Sequence, residues 1–266
     1  MRFAICLSGQ ARLSELTRQS LFNNIVGNHD VDFFVHTWSD SIDQLVCIQT
    51  KRNLLLIISK QIQKLVYFIH EKMLSNPLYR KIIIKLLNYE KRISKLYQPK
   101  AIKTQSWNEI KSRFNVDESK IITGPGTIKL NRIYSFFYSL KEADLLRQKY
   151  EQENDFKYDL VMRTRFDLFF QEKLNIKSLV SRYKDGFLLV PINKDGDSIV
   201  TDQVAFGDSY SMEIYSKMYD SINELYNNGT IFHPETLLKS HIEQNKLSLI
   251  REPLKYKIFR QMINLK

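Results

Sequence analysis

Hydrophobic and polar positions along the chain change period several times, and each change predicts an element. Residues 3–7, Phe-Ala-Ile-Cys-Leu, form an unbroken apolar run closed by Ser8-Gly9-Gln10. That is the pattern of a short strand buried on both faces, followed by a turn. A helix is predicted over 14–24 with Ser14 as its N-cap. Residues 31–36, β-branched and aromatic, read as a second strand. Further strands are predicted at 101–104, 158–162, 186–191 and 204–206. A long helix is expected over 132–153, with Ile133, Phe136, Phe137, Leu140, Ala143 and Tyr150 on one side. Helices at 209–226 and 234–243 follow, the latter with Pro234 in its first turn. The basic-apolar stretch 255–266 reads as a closing helix. Strands alternating with helices imply an α/β domain with a mostly parallel sheet and helices on both faces. In such sheets, ligands sit beyond the carboxyl ends of the strands.

Between the second and third strands the period is helical throughout. Leu55, Ile58, Ile62, Leu65, Ile69 and Met73 recur at helical spacing, Ser75-Asn76-Pro77 interrupts them, and 82–96 resumes with Lys81, Lys85, Lys91, Arg92 and Lys95 interleaved. This predicts a helical hairpin over 51–98, inserted in a single domain spanning 1–266. The net charge of +11 changes how that hairpin is read. Residues 51–103 hold 13 Lys or Arg against two acids, Glu71 and Glu90, while the remainder holds 27 of each sign. A charge excess confined to one segment suits an anionic membrane surface or another polyanion, rather than a reading surface for specific nucleic acid. The alternative function this leaves open is a non-enzymatic module that binds RNA or an anionic membrane.

Composition excludes several classes. No apolar run approaches the roughly 18 residues of a membrane span, and the first seven residues are too short for a secretory signal. The two cysteines, Cys6 and Cys47, have no CxxC partner, so neither a disulfide framework nor a thiolate metal site is expected. These features suit a cytoplasmic protein, peripheral on the inner membrane face where the basic segment meets lipid. Walker A, Rossmann G-x-G-x-x-G, HExxH and G-x-S-x-G patterns are all absent.

The strongest candidate chemistry follows the strand at 158–162, in Arg163-Thr164-Arg165-Phe166-Asp167. In an extended segment, alternate residues point the same way. Two guanidinium groups there can grip a diphosphate by forked hydrogen bonds, and Asp167 can hold a divalent cation, Mn or Mg, that bridges the phosphates. The pattern equally suits a structural ion pair at a strand end. Gln10 and Arg12, in the turn after the first strand, can meet a nucleotide's ribose or phosphate. Trp38, after His36-Thr37, can stack on a base or pack in the core. Asp202 and Glu235 are the candidate bases toward an acceptor hydroxyl. A literal D-x-D, Asp195-Gly196-Asp197, reads as a solvated turn.

Residues 158–167, Tyr-Asp-Leu-Val-Met-Arg-Thr-Arg-Phe-Asp, resemble the strand-plus-R-x-R-x-D pattern of GT-A-like glycosyltransferases of bacterial and viral surface-glycan biosynthesis. Three stretches look similar in the same order: residues 5–12, Phe34-Val35-His36-Thr37-Trp38, and Asp202-Gln203-Val204-Ala205-Phe206-Gly207. His233-Pro234-Glu235 completes the set. The resemblance spans most of the chain apart from the basic insert. It implies transfer of a sugar from a nucleotide-sugar donor to a surface-glycan (lipopolysaccharide or capsule) or lipid-linked acceptor. In that family the metal motif has two carboxylates; here Arg165 stands where the first would be.

Overall fold

The chain is described by a computed structural model over residues 1–11, 15–39, 76, 89–113, 121, 130–183, 186–192 and 196–258. Strand β1 (Phe3–Gly9) is central, buried from Phe3 through Ser8. Such continuous burial requires cover on both faces, and strict alternation delivers it. Phe3, Ile5 and Leu7 join one core, while Ala4 and Cys6 join the other. β2 (Val31–Trp38) and β3 (Ala101–Gln105) continue the sheet on one side, and β3, only partly buried along its length, is the edge. β4 (Leu160–Thr164) pairs with β1 on the other side. Beyond it lie β7 (Ala205–Gly207), β6 (Phe187–Pro191) and β8 (Ser248–Glu252), giving the order β3-β2-β1-β4-β7-β6-β8. A short pair of β5 (Leu168–Phe170) with β9 (Tyr256–Ile258) stands apart.

The sheet is mostly parallel, as the alternation of elements predicted. β7 is the exception and runs antiparallel to both β4 and β6. The reversal has a consequence for chemistry: the residues that lead into β7 arrive at the same edge as the carboxyl ends of β1 and β4.

One face is covered by α1 (Glu15–Leu21), which runs into a π-helical turn at Phe22–Val26, and by α2 (Tyr89–Tyr97) and α5 (Ile176–Arg182). Beyond β3 the chain makes the short α3 (Trp107–Ile110). The other face carries α4 (Leu130–Glu153), α6 (Ser209–Ser216), α7 (Met218–Asn227) and α8 (Pro234–Gln244). α4, about 36 Å long at 1.5 Å per residue, buries Ile133, Phe137, Leu140 and Ala143 against β1 and its neighbours. Each such fully buried large apolar side chain contributes roughly 1.5–3 kcal/mol. A buried charged cluster fastens α4 to α6. Arg147 donates to Asp144 (2.7 Å), pairs with Glu151 (2.8 Å) and donates to Ser209 Oγ (2.7 Å). Both carboxylates are further satisfied, Asp144 by Ser216 and Glu151 by Ser209.

Three sequence expectations are corrected. The strand predicted at 158–162 begins and ends two residues later, so Arg163 and Thr164 lie within it, opposite Cys6 and Leu7. Glu151 takes the Tyr158 amide (2.9 Å), which keeps Tyr158 outside the strand. The single helix expected over 209–226 breaks at Lys217, whose ψ of −1° redirects α7 so that Met218, Ile222 and Leu225 rejoin the α4 core. The closing helix expected from 255 begins instead as β9. Tyr256 and Ile258 pack inward opposite Phe170 and Leu168, while Lys257 is exposed, which is a period of two. The strand β8 had no expectation at all. Of the basic hairpin, Tyr89–Tyr97 is helix; apart from Asn76 and Gln98, the remainder, with Lys81 and Lys85, lies outside the described residues, as do 259–266. No helix among the described residues is long and apolar enough to cross a membrane.

Candidate functional site

β1 has β2 on one side and β4 on the other, so the connections out of the sheet centre diverge at the carboxyl ends of β1 and β4. That is the switch-point crevice in which open α/β sheets bind ligands. β1 ends at Gly9, whose φ of +104° is accessible to glycine and strained for other residues. Its amide donates to Ser139 Oγ on α4 (2.7 Å). Gln10 follows, half-buried, and the Ala11 amide donates to Thr37 Oγ1 (3.2 Å), tying the turn to β2. Arg12 lies outside the described residues.

At the end of β2, His36 is fully buried between Ser139 Oγ (2.7 Å from Nδ1) and Gln105 Oε1 (3.0 Å from Nε2). Burial, against the Gln105 hydrogen bond, lowers its pKa to about 4, so it is neutral at neutral pH. Trp38 is 5% exposed. Tyr138 stacks on it at 5.7 Å, while His36 and Trp107 meet it edge-on at 4.9 and 5.4 Å. Its ring is already covered, so the base-stacking role expected of Trp38 gives way to core packing: alternation along β2 aims it at α4, not at the crevice.

Arg163 projects from β4 on the α4 face. It is 2% exposed, lies over the Phe136 ring at 4.7 Å, and donates through Nη1 to the Asp202 carbonyl oxygen. Its Nε and Nη2 have no hydrogen-bond partner among the described residues. Burial holds its pKa below the usual guanidinium value, with Tyr215 and Asp202 opposing. Arg165 behaves differently. The chain turns at Phe166-Asp167, and the turn folds Asp167 back so that Arg165 Nε and Nη2 each reach one of its carboxylate oxygens at 2.8 Å. Burial works against the Arg165 charge, but this fork outweighs it and raises the pKa. The structural ion pair is therefore present, and the two arginines of the motif have different partners.

Asp202 reaches the same place because β7 is antiparallel. Burial raises its pKa above the ordinary carboxylate value, opposed by Arg163, Arg165 and His233. Glu235 sits in the first turn of α8, a position the helix dipole favours for an acid. Its backbone carbonyl accepts from the Val200 amide (3.2 Å), which ties α8 to the lead-in of β7. Two tyrosines complete the group. Tyr215, on α6, is fully buried, and its hydroxyl has no hydrogen-bond partner among the described residues. It feels Arg163, Asp202, Tyr256 and Glu235, and burial pushes its pKa up. Tyr256, on β9, is pushed up to about 12 by burial, with Asp202 and Glu235 adding to it. In sequence Tyr215 was one more member of an apolar helical stripe, and Tyr256 lay in a stretch read as helix. The only signal either carried was a phenol hydroxyl in need of a partner.

The fold thus gathers Arg163, Arg165, Asp167, Asp202 and Glu235 with Tyr215 and Tyr256. No protein-family model matches the chain, and no curated protein matches its sequence. The donor set as folded does not form a metal site. Both Asp167 oxygens hold Arg165, and no group of three His, Cys, Asp or Glu able to hold a cation occurs among the described residues. Asp195 lies outside those residues; Gly196–Ser198 forms a single 3-10 turn. The arrangement is instead suited to oxyanions: one buried guanidinium with two donors unmatched among the described residues, a second held in a fork that matches phosphate as well as carboxylate, and a carboxyl group whose pKa burial raises above the ordinary carboxylate value.

Proposed function

We propose that this chain is a nucleotide-sugar-dependent glycosyltransferase with a GT-A-like sheet, acting on a surface-glycan or lipid-linked acceptor. One observation carries the reading. The separate stretches that resemble that family, spread from residue 5 to residue 235, supply Gln10, Arg163, Arg165, Asp167, Asp202 and Glu235 to one edge of the sheet, at its switch point. Among the described candidate residues, Trp38 turns inward to the core; Arg12 lies outside the described residues.

In this reading the acceptor hydroxyl oxygen bonds to the anomeric carbon as the bond from that carbon to the diphosphate oxygen breaks. The departing nucleoside diphosphate carries the electron pair, and Arg163 and Arg165 balance its charge, Arg165 by exchanging its fork from Asp167 to phosphate. Asp202 takes the acceptor proton. Its raised pKa and its place among Arg163, Arg165 and His233 favour it over Glu235, which borders the acceptor side. The basic segment 51–103 would rest on anionic lipid at the cytoplasmic face, bringing the site to a lipid-linked acceptor.

The test is a panel of nucleotide sugars offered with lipid-linked and soluble glycan acceptors, with products followed by mass spectrometry and binding by thermal shift. Stabilisation by one nucleoside diphosphate and a matching transfer product support the enzyme. Stabilisation by heparin or RNA alone points to the polyanion-binding module. Transfer that survives Arg165→Ala and Asp202→Asn unchanged would sink the site assignment.

A further inference from the structure

We propose that Tyr215, with Arg163 and Ser8, forms an oxyanion subsite that holds the diphosphate on the α4 side of the switch point; the proposal rests on the nucleotide-sugar reading above. Tyr215 lies on α6, in a stretch whose sequence shows only core spacing.

Buried polar groups are almost always hydrogen-bonded, and those that are not call for a reason. Unpartnered buried hydroxyls occur singly at Thr104 and Ser211, and at Thr164, which alternation turns to the opposite face of β4. On the α4 face, at the carboxyl end of β4, the situation is different in kind. Arg163 Nε and Nη2, Tyr215 Oη and Ser8 Oγ are all buried and all without a partner among the described residues, and they come from three elements. Arg163 lies opposite Cys6 on β1, and Ser8 is two residues further along, so alternation puts Ser8 on the same face and nearer the crevice. Tyr215 reaches that face from α6 and lies within the field of Arg163. All four atoms can donate a hydrogen bond. A set of donors around a guanidinium, with no carboxylate among them, is complementary to an oxyanion.

The neighbouring groups fit a ligand rather than an internal salt bridge. Arg163 Nη1 is taken by a backbone carbonyl, that of Asp202, and not by a carboxylate. Asp202 and Glu235, whose charges act on Tyr215, are half-buried, as is His233, which acts on Asp202. α6 is held rigidly enough to define the Tyr215 position. The Asp208 side chain caps it by accepting from the Ser211 amide (2.7 Å), and Arg147 and Asp144 clamp Ser209 and Ser216 at its two ends.

Tyr215→Phe removes one oxygen and nothing else. A buried hydroxyl with no partner does not stabilise the free protein, whereas a hydrogen bond to a charged ligand does. The two roles therefore predict opposite signatures. The thermal midpoint of the free Tyr215→Phe protein should equal or exceed that of the parent. Its affinity for the best-bound nucleoside diphosphate, measured by calorimetry, should fall by about ten- to a hundredfold, and its affinity for inorganic pyrophosphate should fall with it. A lowered midpoint with unchanged affinity would show that the hydroxyl is structural and overturn the proposal. So would unchanged affinity at an unchanged midpoint, or a loss confined to the nucleoside diphosphate and spared with pyrophosphate, which would put the hydroxyl on ribose or base. If the parent protein binds neither probe, the nucleotide-sugar reading itself falls, and the subsite with it.

Discussion

The Arg165–Asp167 fork is where a structural and a ligand-binding role can be separated by measurement. Asp167 is 4% exposed in its side chain and Arg165 24%, and two bonds of 2.8 Å join them. Removing one partner of a buried pair typically costs about 3–5 kcal/mol, because the other charge is left poorly compensated. Arg165 lies partly at the surface, so its removal admits water to the Asp167 left behind, and the lower end, about 3 kcal/mol, applies to Arg165→Ala. For a chain of this size each kcal/mol moves the thermal midpoint by roughly 2–4 °C, which makes the expected drop about 6–12 °C. The Arg165→Ala/Asp167→Ala double variant should be no less stable than Arg165→Ala alone, with a coupling energy of about 2 kcal/mol by urea denaturation. The binding arm must behave differently. Nucleoside diphosphate affinity, measured by calorimetry on the folded fraction, should fall more than tenfold in Arg165→Ala and stay low in the double variant, since restoring charge balance does not restore the phosphate contact. A double variant that binds like the parent would make the fork purely structural and falsify its transfer to phosphate. A coupling energy below about 0.5 kcal/mol would refute the pair's energetic role.

Three further outcomes are expected. Arg147→Ala strands two buried carboxylates, Asp144 and Glu151, and should cost about 3–5 kcal/mol; Lys157→Ala, which touches the same Glu151 from an exposed position, should cost less than about 1 kcal/mol, both read from urea denaturation. His36 has a folded pKa of about 4, below the roughly 6.5 of an unfolded histidine. Its neutral form belongs to the fold, so its contribution is present above pH 6.5 and is lost as pH falls toward 4, by on the order of 3 kcal/mol; His36→Gln should flatten the midpoint-against-pH curve in that window. Neutralising Lys81, Lys85, Lys91 and Lys95 together should weaken binding to phosphatidylserine liposomes, at about 1 kcal/mol for each residue near the surface, and unaltered sedimentation with the vesicles would remove the membrane role.

Much of the architecture was legible as period. Continuous burial at 3–7 marked a central strand, and the 3.6-residue spacing of Ile133, Phe137 and Leu140 marked α4, because each is a local property of how side chains leave the backbone. Strands separated by helices implied a largely parallel sheet, and that sheet is present. Short elements were harder. β9, with three residues, offers one turn of either period, and its pairing with β5, some ninety residues away in sequence, is what makes it a strand.

The Arg163–Asp167 run shows the limit most clearly. Its residue types and its place at a strand end are enough to mark it as a charged site. Spacing treated Arg163 and Arg165 as equivalent, however, and they are not. Arg163 is within β4 and buried on Phe136, whereas Arg165 is just past the strand end, where the turn delivers Asp167 to it. The direction of β7 brings Asp202 to Arg163, and the break at Lys217 and the clamp on α6 set Tyr215 beside them. None of these is encoded within a window of neighbouring residues. A charge finds its partner through strand order and register, which depend on how the whole chain buries its two apolar faces. Composition and period therefore revealed which groups were present, and the packing of distant segments chose which of them meet.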